Sequence, residues 1–308
     1  MFIICSVASA QLMTETFGTG ANQFSIDFVG IGNPGNQSDT TRPNGIGSVN
    51  YNYNIAKTEV SRGMLEKANA LANLGIYYRD WGNLIRNDPD RAAVDMNWYM
   101  AASFVNYLNI STGNQAAYKF TSSGFQLWSE SDPGYNPNNL FRNSLAKYVL
   151  PTRDEWYKAA YGSPDGTWYK YSNGSNAEPE SVYEGTTGIV YGKLDQWGGP
   201  WQTLAKVYEA GALSPFGTMG QGGNAMEWTE SEADGVNSST QNMDANREVL
   251  GGGIGNNADG ISSTALSTPY PDYGYSFGFR VAMVPEPSAL SLCAVGLGGM
   301  AMMRRRRS

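Results

Sequence analysis

Histidine is absent from all 308 residues, and cysteine occurs only at Cys5 and Cys293. Both cysteines fall in short apolar stretches at the two ends of the chain. Residues 11–284 therefore contain no thiol and no imidazole. That inventory excludes serine–histidine and cysteine–histidine hydrolases, a disulfide framework, and zinc sites built on His or Cys. A metal bound there would have to be a hard ion with oxygen ligands, such as calcium. Charge is also sparse, at 16% of residues. Four of the 21 basic residues and one of the 28 acidic ones lie in the last 24 positions, which leaves 17 basic and 27 acidic residues and a net charge of −10 for residues 11–284. A nucleic-acid footprint is excluded on that charge balance. An acidic surface of this kind suits a soluble exported domain that attracts cations.

What is present is sharpest at the C-terminus. Pro285-Glu286-Pro287 precedes an uncharged run of 16 residues, Ser288 to Met303, and then Arg304-Arg305-Arg306-Arg307. As a helix, 288–303 would be about 24 Å long, slightly short of a bilayer core of about 30 Å. The arginines would hold its end on the cytoplasmic side. This order of parts resembles the PEP-CTERM sorting signal of exopolysaccharide-producing Gram-negative bacteria. The resemblance implies an exosortase-type processing enzyme as a partner. It also implies anchoring in the inner membrane through 288–303, followed by release to the cell surface or extracellular matrix. Residues 1–10, MFIICSVASA, end in the A-x-A pattern of a signal-peptide cleavage site and read as a remnant signal peptide. The chain thus divides into 1–10, a domain over 11–284, and the sorting segment 285–308.

Along the chain, glycine (37 residues) and tyrosine with tryptophan (19 and 8) are abundant. Turn signals are dense, among them Asn33-Pro34-Gly35 and Asp132-Pro133-Gly134. The pattern is that of a loop-rich α+β domain. Three helices are predicted. One follows Thr58-Glu59-Val60-Ser61, with Met64, Leu65, Ala68, Leu71 and Ala72 as its apolar face. A second covers about Met96 to Leu108, with Trp98, Ala101, Ala102, Val105 and Leu108 buried. A third starts at Pro151-Thr152, where Thr152 and Glu155 form a capping box, and stops at Gly162. Strands are predicted at Phe24–Ile31, Asn50–Ile55 and Phe279–Val284. Trp156 and Trp228 read as core anchors, and Arg280 as a buried ion-pair partner.

Six segments, in order, resemble the formylglycine-generating enzyme family, or sulfatase-modifying factor domain. Lys57-Thr58-Glu59-Val60-Ser61 is similar to its "k-x-E-V-T". Trp98-Tyr99-Met100-Ala101-Ala102 to Leu108-Asn109 is similar to its "W-x-d-A" helix. Leu150-Pro151-Thr152-Arg153-Asp154-Glu155-Trp156 is similar to "L-P-T-E-A-E-W". Gly223-Asn224-Ala225-Met226-Glu227-Trp228 is similar to "G-N-v-w-E-W". Glu248-Val249-Leu250-Gly251-Gly252-Gly253 and Gly278-Phe279-Arg280-Val281-Ala282 are similar to "r-v-l-R-G-G-S" and "G-F-R-v-a". The resemblance implies a C-type-lectin-like α+β fold. It also implies a calcium site, with the Glu227 carboxylate and the carbonyls of Gly222, Gly223 and Ala225 as ligands. The alternative for Glu227 is pairing with Arg280. A second calcium site would map near Asn176, although its expected downstream Asp is missing near Val207-Tyr208.

The family's enzymes resemble copper oxidases that bind Cu(I) through two thiolates and convert a substrate cysteine to formylglycine. Counted without gaps, those cysteines fall near Ser262 and Ser267. Serine hydroxyls stay protonated at neutral pH and cannot replace a thiolate pair. Arginine is also missing at Gly251 and near Leu266. No copper and no formylglycine-generating activity are expected. The leading expectation is a non-catalytic module that binds glycan or exopolysaccharide. Its candidate platforms are Trp81, Trp197 and Trp201, in aromatic clusters suited to stacking on sugar faces. The competing readings are an enzyme of the family with changed chemistry, using carboxylates as acid and base, and a purely structural envelope protein.

Overall fold

The computed structural model describes residues 12–42, 45–76, 88–193, 204–235, 237, 245–274 and 277–285. Regular structure is scarce, and short strands and three helices are joined by long turns. A five-stranded antiparallel sheet has the order β1 (Leu12–Phe17), β2 (Phe24–Ile31), β3 (Tyr53–Ala56), β10 (Ala282–Met283), β6 (Tyr148–Val149). A three-stranded mixed sheet has β7 (Met226–Glu232) at its centre. There β8 (Arg247–Leu250) runs antiparallel and β9 (Phe277–Phe279) runs parallel. A small hairpin, β4 (Lys119–Thr121) and β5 (Gly124–Gln126), completes the strands.

The first and third helices begin at the expected caps, and the second starts two residues past Met96 and runs three residues past Leu108. Helix α1 is Arg62–Ala72, and the Ser61 side chain accepts from Met64 N. Helix α2 is Trp98–Ser111, capped by Asn97. Helix α3 is Arg153–Tyr161, with both halves of the Thr152–Glu155 box formed. These bonds satisfy amides that have no partner inside the helix. Two other details depart from expectation. Leu71 and Ala72 are exposed, because the last turn of α1 runs off the core. Gly162 caps α3 in an extended rather than a left-handed conformation.

The predicted strand 279–284 is really two strands in two sheets. β9 lies beside β7, and β10 lies between β3 and β6. The crossing falls at Arg280-Val281. Val60 N donates to Phe279 O on one side of it, and Ala56 N donates to Val281 O on the other. Arg280 thus sits at the seam between the sheets, where its side chain can reach both. The core fills the space around this seam. Trp98, Trp156 and Trp228 are wholly buried, and Trp98 packs edge-on against Tyr118 and Phe125.

Candidate functional site

Two features stand out where the turn ahead of β7 meets the segment after β8. One is a buried cluster of charges. Arg280 Nε and Nη2 donate to Glu227 Oε2 and Oε1 at 2.7 and 2.6 Å. Its remaining N–H groups donate to the carbonyls of Ala56, Lys57 and Met219. All five guanidinium donors are therefore used. Trp156 Nε1 also donates to Glu227 Oε2, at 2.7 Å. The structure thus shows Glu227 as the anion of Arg280, the alternative that the sequence leaves open.

Glu59 completes the cluster. It accepts from Asn224 Nδ2 at 3.0 and 3.1 Å and from Ala225 N at 3.2 Å. No bond from Arg280 reaches it among the described residues. Burial, reinforced by the charge of Glu227 and only partly offset by Arg280, pushes its carboxyl up to about 8. The space around it leaves no slack. A Cβ on Gly220, whose φ is +77°, would stand 2.6 Å from Glu59 Oε2.

The other feature is a surface hollow of about 310 Å³, lined by Met226, Asn256, Asp259, Thr264, Leu266 and Ser267 among others. It lies over the segment that follows the glycine turn after β8. Backbone placement there rests on Gly251, at φ +89°, whose added Cβ would meet Gln221 O at 2.3 Å. The arginine expected at this position has no room for its Cβ. Of the two serines counted onto the thiolate positions, Ser267 lines the hollow and pairs through its backbone with Val249. Ser262 is wholly buried and bonds to Asp259 O and to Thr264 Oγ1. A hydroxyl pair of this kind does not fit Cu(I), which selects thiolates.

The other predicted site residues are dispersed. Asn176 is exposed, and its Oδ1 accepts from Lys170 N. Gly222, Gly223 and Ala225 lie in the turn ahead of β7, packed against the Glu59–Glu227 cluster. Trp81, Trp197 and Trp201 lie outside the described residues, as do residues 286–308, which include Glu286, Pro287 and Arg304 to Arg307. Pro285 is described and exposed. No helix among the described residues is long and apolar enough to cross a membrane. Sequence reasoning assigned no role to Glu59 or Asn224. Their partners are remote in the chain, and only the excess of buried acid around the motif could have pointed to them.

A loop-rich fold of one antiparallel and one mixed sheet, joined at the Arg280-Val281 seam, is shared with several solved proteins. The chain belongs to the family of the sulfatase-modifying factor enzyme 1-like domain, whose model matches residues 32–284. Its fold is similar to that of Treponema denticola variable protein 1, at 20% identity and a TM-score of 0.62, covering 88% of this chain and 99% of that one. CarF is similar at 20% identity and 0.57, covering 84% and 98%. PvdO from Pseudomonas aeruginosa is similar at 14% and 0.55, covering 88% and 98%. No curated protein matches in sequence.

Proposed function

We propose that the chain is an exported, surface- or matrix-associated member of this family, with an α+β, C-type-lectin-like domain. In this reading it works as a non-catalytic module that binds glycan or exopolysaccharide. The observation that carries the reading is the hollow beside Ser267, one of the two serines counted onto the family's thiolate positions. It offers hydroxyl, amide and carboxylate groups, and the only cysteines of the chain are Cys5 and Cys293. Such groups bind polyols through hydrogen bonds. The segment 285–308 serves as the sorting signal, with an exosortase-type enzyme as partner and the membrane as temporary anchor through 288–303. The acid–base alternative draws no support from Glu59. That carboxyl is shifted, but it is enclosed in the core at 1% exposure.

Calcium at Glu227 enters this reading only with Arg280 displaced, because the guanidinium already occupies both carboxylate oxygens. The test is thermal unfolding of the full chain in EDTA, in millimolar calcium, and in each with added exopolysaccharide. A rise in midpoint with polysaccharide supports the module. A rise with calcium that Glu227→Gln abolishes would place the metal there. Oxidation of a sulfatase-type cysteine peptide by the copper-treated chain would sink the non-catalytic reading.

A further inference from the structure

The binding reading acquires a location and a ligand class from the segment that leaves the hollow. Residues 265–274 are fixed at closely spaced points. Ser267 exchanges backbone bonds with Val249, Arg247 N donates to Pro269 O, and Asn246 Nδ2 donates to Thr268 O. Trp98 N then donates to Pro271 O, and Tyr273 N turns back to Tyr270 O. On this pinned backbone two tyrosines face outward, Tyr270 at 67% exposure and Tyr273 at 50%. The Tyr273 ring rests 5.9 Å from that of Phe277, which anchors it to the mixed sheet. Tyr270 makes no ring contact and no side-chain hydrogen bond among the described residues. A bare tyrosine on a pinned backbone has only two side-chain torsions to lose when something stacks on it.

Ser267 is on the wall of the hollow, and Tyr270 follows three residues later. An extended chain spans about 10 Å in that distance, the reach of a short oligosaccharide. Leu266, 45% exposed, borders the same wall and offers apolar contact. The polar groups are of one kind. Asn256 has its Oδ1 fixed by Gly253 N at 2.7 Å, so its Nδ2 is left to donate. Thr264 and Ser267 supply hydroxyls. Asp259, the one carboxylate of the hollow, is partnered by Lys170 at 3.4 Å. No arginine lines the hollow. An anionic sugar would call for an arginine or an unpaired lysine, and the chain carries a net charge of −7.

We infer that the hollow and the Tyr270 face together form one subsite for a neutral, polyhydroxylated glycan. One sugar unit would be hydrogen-bonded by Asn256, Thr264 and Ser267, and the next stacked on Tyr270. This inference rests on the binding-module reading and adds to it a place and a charge class. Affinity electrophoresis of the full chain tests it, through gels containing neutral polysaccharide (dextran, mannan, β-glucan) or anionic polysaccharide (alginate, polygalacturonate). A neutral polymer should retard the chain. Tyr270→Ala should weaken that binding about tenfold, and Ser267→Trp, which fills the hollow, should abolish it. Tyr208→Ala, at a tyrosine of similar exposure near Asp90 and Asp27, should leave it unchanged. Thermal midpoints of all variants should match that of the parent chain. Retardation that persists in both Tyr270→Ala and Ser267→Trp overturns this site while keeping the binding module. Retardation by anionic polymers alone overturns the ligand class. No retardation by any polysaccharide overturns both the inference and the reading beneath it.

Discussion

Two buried clusters in this molecule have the same parts, two glutamates and one arginine, and handle them differently. In the first, Arg280 gives its whole carboxylate-facing edge to Glu227 and none to Glu59. In the second, Arg142 stands between its acids. Nε donates to Glu230 at 2.8 Å, and Nη1 and Nη2 donate to Glu155 at 3.2 and 3.1 Å. Neutral donors supply the rest. Tyr51 and Thr152 N reach Glu155, while Tyr118, Asn139 and Asn237 reach Glu230. The consequences are opposite. Burial alone would raise Glu155, but the charge and bonds of Arg142, with those of Tyr51 and Thr152, outweigh it and hold its carboxyl below the usual range. Glu59, without a cation of its own, is pushed up to about 8. Stoichiometry therefore does not decide which buried carboxyl carries charge. The sharing of the cation decides it.

That contrast can be broken at its cations first. Arg142→Met takes the shared cation from two buried carboxyls and should cost more than the ~3–5 kcal/mol of one broken buried pair. Arg280→Met strands only Glu227, since Glu59 is already neutral at pH 7, and should stay within that range. Urea unfolding of both variants at pH 7 checks the order, and a larger loss for Arg280→Met would undo the argument.

The pH dependence sharpens the comparison, because the two clusters have opposite signs. The folded value of Glu59 lies above its unfolded value near 4.5. Its contribution is thus full below about pH 4.5 and is lost as pH rises toward 8. Glu155 has a folded value below its unfolded one. Its contribution is full above about pH 4.5 and is lost as pH falls through the folded value. Glu59→Gln should therefore gain on the parent chain between pH 5 and 9, at up to about 1.4 kcal/mol per pH unit. Glu155→Gln should lose least at acid pH. Parallel stability–pH curves for Glu59→Gln and the parent would show Glu59 to be ionised throughout.

Smaller effects probe the walls of each cluster. Gly220→Ala drives a methyl against Glu59 at a left-handed φ and should cost about 1–3 kcal/mol. Thr152→Ala removes one half of the capping box that also feeds Glu155 and should cost about 1 kcal/mol. Thermal midpoints rank the two. A Gly220→Ala midpoint equal to that of the parent would mean that the Glu59 pocket is loose.

The sequence was most legible where the chain informs on itself locally. Ser61 and Thr152 announce helix starts because a cap acts within three residues. The alternation of Phe24, Ile26 and Phe28 locates β2 at its true ends. Locality also explains the failures. The run from Phe279 onward reads as one strand, because periodicity shows that a residue is buried and not which sheet buries it. Leu71 continues the apolar spacing of α1 past the point where a core exists to receive it. Arg280 could be read as a buried cation, and Glu227 as a possible partner, because each type demands compensation. Glu59 could not, since its donors Asn224 and Ala225 lie 165 and 166 positions away. Likewise, the tyrosines of 270–273 draw their rigidity from Trp98 and Arg247, which belong to other parts of the chain.

The crossing at Arg280-Val281 also sets a timetable. β10 lies inside the five-stranded sheet, between β3 and β6, and β9 is an outer strand of the mixed sheet. A chain made from its N-terminus has every other strand in hand before either arrives. Until then β6 has no strand to pair with, Glu227 lacks Arg280, and no strand passes from one sheet to the other. Contacts this distant in sequence are the slow ones to form. The five-stranded sheet thus cannot be completed until the few residues just ahead of Pro285 are made.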